Sequence, residues 1–371
     1  MRPVFPLLLV LSLALTGHAW WQHSPPVWEF VLPETPRADA PAAFEVAFDR
    51  MQPGLAKHAP AIRVADGRVE IIWYEGSKEG ARDVGILSAP LEKGQAGWRL
   101  GATRVLMTSA GLGPAMVPRQ SVWVLGNAVP AALAPGRGYL ATIVSIGGWA
   151  MASVAHVAER ADGVLRARRL ALSPMLARST LVRGPALAFA GGDIGLPAYF
   201  EMGTAFSELV RLSATGRVLD KRRMSMGKAG IQPEVVVLSP RRAVAFLRNF
   251  DDRRVLYVTH TVDGGQSWSP IADAGLPSPN SPAAVLALEG GRILMAFNDD
   301  PVDTGFLRLA VSGDAGATWR RIATLDDAPK GSMRYPALAR LPDGQILLVY
   351  SYDGQEGLRG HVLNDAWIDA Q

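Results

Sequence analysis

Six times along this chain, two short apolar runs flank a glycine-type turn. His58 opens HAPAIRVADGRVEIIWY, Asn127 opens NAVPAALAPGRGYLATIV and Arg183 opens RGPALAFAGGDIGLPAY. Gln232 opens QPEVVVLSPRRAVAFLRN, Asn280 opens NSPAAVLALEGGRILMAFND and Arg334 opens RYPALARLPDGQILLVYSY. Each copy has a small-residue or Pro step, an apolar run of strand length, an Asp-Gly or Gly-Gly type turn, and a second apolar run. That is the signature of a β-hairpin. The runs are nearly continuous in apolar character, as at 292–297 and 345–350, so both faces of each strand are expected to be covered. Strands packed between neighbouring sheets satisfy this. A second strand pair follows most hairpins, as in RRVLYVTHTVDGGQSWSPI and FLRLAVSGDAGATWRRIATL. The unit is therefore a four-stranded antiparallel meander. Six such units predict an all-β, six-bladed β-propeller. Residues 44–49 are expected to add the strand that closes the ring with the last blade.

The meander sorts its own loops. First and third turns lie at one end, and second turns and the links between blades lie at the other. The leading residues His58, Asn127, Arg183, Gln232, Asn280 and Arg334-Tyr335 thus share one end with the second turns YEGSKEGARD, SIGGWAMA, YFEMGTAF, RNFDDRR, NDDPVDTG and SYDGQEG. These are the polar, charged and aromatic stretches, and they converge on the axis. The functional site is expected there.

Composition narrows the partners. Of 371 residues, 49% are hydrophobic and 19% charged, ordinary for a globular chain with a large core. A net charge of +4, scattered without a basic tract, gives no footprint for nucleic acid. There are no cysteines, which excludes disulfides and thiol chemistry. No His/Asp/Glu spacing reads as a metal site, and no cofactor is implied. Arg2, the apolar run from Val4 to Leu15 and Gly17-His18-Ala19 form the layout of a secretory signal peptide, with cleavage after Ala19. The apolar run is short for a membrane span, so a retained anchor ranks lower. Residues 20–43 read as an extended leader and 44–371 as a single propeller domain. The mature protein is expected outside the cytoplasm, periplasmic or extracellular, with no stable membrane span.

SGDAGATW, from Ser312 to Trp319, matches the Asp-box pattern Ser-x-Asp-x-Gly-x-Thr-Trp, and TVDGGQSW, from Thr261 to Trp268, matches it with conservative changes. Both fall in third turns. With the six hairpins, the chain resembles the sialidase (neuraminidase) superfamily, in the branch with BNR/Asp-box repeats. The resemblance implies chemistry at the opposite face from the boxes. It calls for an arginine cluster for a substrate carboxylate, an acidic acid/base, a Tyr nucleophile and a Glu beside it. A neutral nucleophile suits a sugar that carries its own negative charge. Tyr335 in RYPAL takes the place of the Tyr, and Arg248 in FLRN that of one Arg. Gln232 stands where the family has Glu, with Glu234 two residues on and on the same side of a strand. His58 stands where the first Arg is expected, and Thr304 where another is. For the acid/base, Asp83 fits best, with Glu79 and Glu75 as alternatives.

Further residues on that face suit a sugar. Trp149, Tyr199, Tyr350 and Tyr352 are placed to stack on a ring. Lys78, Arg183, Arg248 and Arg334 are placed to pair with an anionic group. Glu201, Asn127, Asn280 and Asn298 add hydrogen-bonding capacity. The resulting expectation is an exported protein acting on a glycan, as an exo-glycosidase of the sialidase type on an acidic sugar with a divergent site. The alternative is a non-catalytic module for glycan binding or envelope polysaccharide assembly. A scaffold for a protein partner is a third class, and it would expose an apolar patch instead of a polar funnel.

Overall fold

A computed structural model describes residues 4–22, 26–95, 97–134, 137–172, 177–225, 230–327 and 334–371. Six antiparallel sheets follow one another along the chain. Blade 1 comprises Ala56–Ala65, Arg68–Gly76, Gly85–Gly94 and Gly97–Leu100, with Arg104–Thr108 also paired to its third strand. Blade 2 comprises Val124–Ala131, Arg137–Val144, Ser153–Glu159 and Leu165–Arg169. In blade 3 the innermost strand is split into Thr180–Val182 and Leu187–Ala188, followed by Ile194–Phe200, Phe206–Leu212 and Val218–Arg223. Blade 4 comprises Ile231–Val237, Ala243–Arg248, Val255–Thr261 and Ala272–Pro277. Blade 5 comprises Ala284–Ala287, Ile293–Asn298, Phe306–Ser312 and Arg320–Asp327. Blade 6 takes Arg334–Arg340, Ile346–Tyr352 and Gly357–Leu363 from the end of the chain. Its outer strand is Phe44–Met51, paired in antiparallel register from Phe44 opposite Leu363 to Met51 opposite Gly357. The architecture is a six-bladed β-propeller, closed by strand exchange between the two ends of the chain.

Apolarity on both strand faces is explained by where the side chains go. Ile71 and Trp73 pack towards blade 6, with Leu347 and Val349, while Ile72 and Tyr74 pack towards blade 2, with Tyr139 and Ala141. The same two-sided burial continues round the ring. Leu140 and Val154 meet Leu196 and Val210, and Leu209 meets Val235 and Ala245. Phe246 meets Met295, and Leu294 meets Leu348. Each interface is a separate apolar layer. The ring holds together by summing them.

The Asp boxes are the third turns of blades 4 and 5. In blade 5 the Asp314 carboxylate accepts from Thr318 N at 2.8 Å, Thr318 Oγ1 at 2.6 Å and Ser312 Oγ at 2.7 Å. These bonds hold its carboxyl down to about 2. Blade 4 repeats the pattern with Asp263, Ser267 and Thr261. Gly316 and Gly265 both sit at φ 91°, and a Cβ on Gly316 would lie 2.7 Å from Phe246 Cζ. Only glycine meets both demands.

Residues 26–43 run over the Asp-box end. Phe30 is buried against Phe189, with centroids 5.0 Å apart, and its N–H donates to Pro240 O at 2.7 Å. Val31 N donates to Ala188 O at 2.8 Å, so this segment ties blade 3 to blade 4. Arg37 pairs with Asp369 and Glu289. A helix spans Val4–Gln22. Among the described residues no helix is long and apolar enough to cross a membrane.

Candidate functional site

The first strand is interrupted at the same place in five of the six blades. The ladder slips between His58 and Ala61, Leu125 and Ala128, Ile231 and Glu234, and Arg334 and Ala337. In blade 3 the break falls at residues 183–186, and in blade 5 Asn280 precedes the short strand. Ala59, Gln232, Asn280 and Tyr335 all hold positive φ, at 48°, 50°, 60° and 57°. Three of these residues directly precede Pro60, Pro233 and Pro336, whose missing N–H removes a ladder bond. A non-glycine residue at positive φ costs about 1–3 kcal/mol. The bulges re-aim side chains that a regular strand would bury between blades, and send them to the axis.

These side chains and the second turns line a cavity of about 190 Å³. Its wall includes Tyr335, Gln232, Arg248, Arg334, Glu79 and Glu201, with Tyr199, Trp149 and Asn127. The Tyr335 hydroxyl accepts from Arg248 Nη1 at 3.1 Å and from Gln232 Nε2 at 3.3 Å. Gln232 Nε2 also donates to Tyr199 Oη at 3.2 Å, and its Oε1 accepts from Arg248 Nη1 at 3.1 Å. Asn280 lies behind this row, where its Oδ1 accepts from Arg248 Nε at 2.7 Å. Asn127 Nδ2 donates to Val182 O at 3.1 Å across the blade 2–blade 3 boundary. Neither Arg248 nor Arg334 has a carboxylate within 4.0 Å among the described residues, and Arg334 Nε is buried without a partner.

Glu79 and Glu201 are both raised above the ordinary carboxyl range. Burial against the wall is the larger cause in each, partly offset by the charge of Arg248; Glu79 in turn pushes Glu201 up. Glu79 still shows 47% of its side chain at the mouth. His58 is fully enclosed, its ring 3.9 Å from that of Tyr335 and 5.0 Å from that of Tyr74. Burial, with Arg334, Arg248 and Arg183 nearby, drives its pKa well below the usual histidine value. Both its ring nitrogens are buried without a hydrogen-bond partner.

Several expected site residues sit elsewhere. Asp83 does not line the cavity: its carboxylate accepts from Ser77 N and Oγ, each at 3.0 Å, and shapes the turn that presents Glu79. Lys78 is exposed on that turn, outside the lining. Glu75 accepts from Trp73 Nε1 at 3.0 Å. Glu234 and Arg183 form a buried ion pair in a small void below the cavity. Arg183 also donates to Pro336 O, and its guanidinium lies 5.7 Å from the Tyr335 ring centre. Tyr352 donates to Asp49 and lies under Arg359, away from the axis. Tyr350 is buried, bonded to His361. Asn298 accepts from Ser281 Oγ and donates to Thr304 O, both inside blade 5. Sequence reasoning missed Tyr74 and Thr142. Both end apolar strands, and Tyr74 carries a buried hydroxyl without a partner. The polar tip on an apolar run was the signal available.

Residues 67–348 match the BNR repeat-like domain family. No curated protein matches the chain. Among solved structures, a protein of unknown function from Dyadobacter fermentans superposes with a TM-score of 0.65 at 13% identity, covering 86% of this chain and 99% of its own. A Hadza microbial sialidase follows with a TM-score of 0.63 at 15% identity, over 82% of this chain and 65% of that one. The Trypanosoma rangeli sialidase bound to the inhibitor DANA gives 0.59 at 14%, over 85% of this chain and 56% of that one. The chain thus spans less than two thirds of either sialidase, and at these identities the likeness is one of fold. The family match covers most of the blades, and the ring, the bulged inner strands and the two Asp boxes agree with it: this chain belongs to the BNR repeat-like domain family, with a fold like that of the sialidases.

Proposed function

We propose that this chain is an exported protein that acts on a glycan by taking a terminal acidic sugar into the axial cavity. Residues 1–19 serve as signal peptide, 20–43 as leader and 44–371 as the working domain. The observation that carries the reading is the pair Arg248 and Arg334, both lining the cavity without acid partners among the described residues, with Arg248 bonded to the hydroxyl of Tyr335. Buried or half-buried guanidinium groups left uncompensated are suited to a carboxylate, which they meet in two parallel hydrogen bonds. Tyr199, Trp149 and Asn127 supply the apolar face and polar contacts that fix a sugar ring.

Two chemistries follow from this pocket. In the hydrolytic one, Glu79, whose carboxyl is raised by burial so that it keeps its proton to higher pH than an ordinary glutamate, protonates the leaving oxygen. As the bond to the leaving group breaks, the Tyr335 hydroxyl stabilises the positive anomeric carbon, and water then adds there and gives its proton to the Glu79 carboxylate. In the binding one, the same contacts hold the sugar without cleaving it, and the amide at Gln232 favours this reading because it cannot take the Tyr335 proton. The test is a glycan array together with fluorogenic sialosides and uronides, run on the full chain and on Arg334→Ala and Tyr335→Phe. Binding of acidic glycans by the wild type, weakened at least tenfold by Arg334→Ala, is the expected result. Equal binding of neutral and acidic glycans, indifferent to Arg334, would refute the reading.

A further inference from the structure

Gln232 is polarised in one direction only. Arginine is a donor with no acceptor atom, so the amide atom facing Arg248 Nη1 at 3.1 Å is the oxygen. The NH₂ therefore faces the tyrosines, at 3.3 Å from Tyr335 Oη and 3.2 Å from Tyr199 Oη. Tyr335 Oη receives two hydrogen bonds, from Gln232 and from Arg248. Both are accepted bonds, so its own proton has no acceptor among the described residues. His58 lies against the ring, and neither of its nitrogens bonds the hydroxyl.

A phenol that attacks an anomeric carbon forms one C–O bond as the bond to the leaving group breaks. It must also shed its proton to a base, while the leaving oxygen gains one from an acid. Glu79 lines the cavity on the acid side. On the base side, the atom next to Tyr335 is an N–H donor. We infer that Gln232 sets Tyr335 as a hydrogen-bond donor to the ligand and not as a nucleophile, so that the cavity grips an oxyanion with the Arg248, Arg334, Tyr335 and Tyr199 donors and leaves the glycosidic bond intact. This rests on the reading that an acidic sugar occupies the cavity, and it selects the binding form of that reading.

The test compares the full-length wild type with Gln232→Glu and Gln232→Met. Calorimetry uses N-acetylneuraminate and glucuronate, and turnover uses their 4-methylumbelliferyl glycosides. The expected wild type binds one of the acids and shows no turnover dependent on Tyr335. Gln232→Glu places a proton acceptor beside the phenol. It is expected to create turnover at least tenfold above the wild-type background and to weaken anion binding by its added charge. Gln232→Met, which keeps size and removes all three side-chain hydrogen bonds, is expected to weaken binding at least fivefold without creating turnover. Wild-type turnover abolished by Tyr335→Phe would overturn the inference and leave the acidic-sugar reading standing. A folded Gln232→Glu that binds without gaining turnover, or a Gln232→Met with unchanged affinity, would also overturn it. If neither wild type nor variants bind either acid, the acidic-sugar reading itself fails.

Discussion

At the scale of single residues, burial suppresses the usual charge of groups both beside the cavity and within the blades. His58 is held neutral, and His156 is pushed down to about 4 by burial with Arg168 beside it. In the unfolded chain both would titrate near 6.5. The unfolded state thus binds more protons at lower pH, and the stability each contributes is complete above about 6.5 and lost as pH falls. The slope is at most about 1.4 kcal/mol per pH unit for each histidine. Thermal melts of a His58→Gln/His156→Gln variant should therefore fall less steeply between pH 7 and 5 than those of the wild type. An unchanged slope would show that neither histidine is held neutral. Glu79 and Glu201 have the opposite sign. Their raised carboxyls ionise as pH climbs past the ordinary range, so affinity for an anionic sugar should decline over that rise. A binding isotherm series in pH reads this, and Glu79→Gln should flatten it.

Strands and turns show which residues were legible in the sequence. Tyr335, Gln232 and Arg248 were readable because the leading residue of each blade and the end of its second strand both point to one face. Asp83 and Glu79 share one turn, and only its closure on Ser77 decides that Glu79 faces the cavity. Arg183, expected to meet an anionic group, and Glu234, the acid two residues after Gln232, instead neutralise each other across 51 residues of chain. Tyr352 is claimed by Asp49 on a strand from the other end of the sequence. The Asp boxes are structural turns, as their spacing suggests. Gly316→Ala places a methyl 2.7 Å from Phe246 Cζ at a positive φ, and is expected to cost about 1–3 kcal/mol. Chemical denaturation should report that loss while affinity for an acidic glycan stays unchanged. A loss of affinity in the folded variant would give the Asp-box end a role in binding.

For the whole molecule, closure is the main organising event. Six blades stack their apolar layers in a circle, and the ring is completed when Phe44–Met51 joins blade 6. A chain beginning at residue 26 keeps this strand and the segment over blades 3 and 4, and is expected to melt as one cooperative unit. A chain beginning at residue 53 leaves Gly357–Leu363 as an open edge and should aggregate or lose its cooperative melt. Equal stability of the two would show that the ring holds without strand exchange. Phe30, buried between Phe189 and the blade 4 turn, makes residues 26–43 part of the fold and ties them to the face opposite the cavity.

The sequence alone determined the blade count, the antiparallel meander and the face on which the polar leading residues and second turns converge. These follow from local periodicity, from turn chemistry and from the parity of turns in a meander. Only tertiary structure decided which polar residues share a cavity and which cancel one another. Those pairings join distant segments across blades, and they depend on bulges that rotate a side chain from the interface between blades to the axis. Gln232 illustrates the division. Its identity and position are evident in the chain, but the orientation of its amide is set by Arg248 on the neighbouring strand and by two tyrosines from other blades.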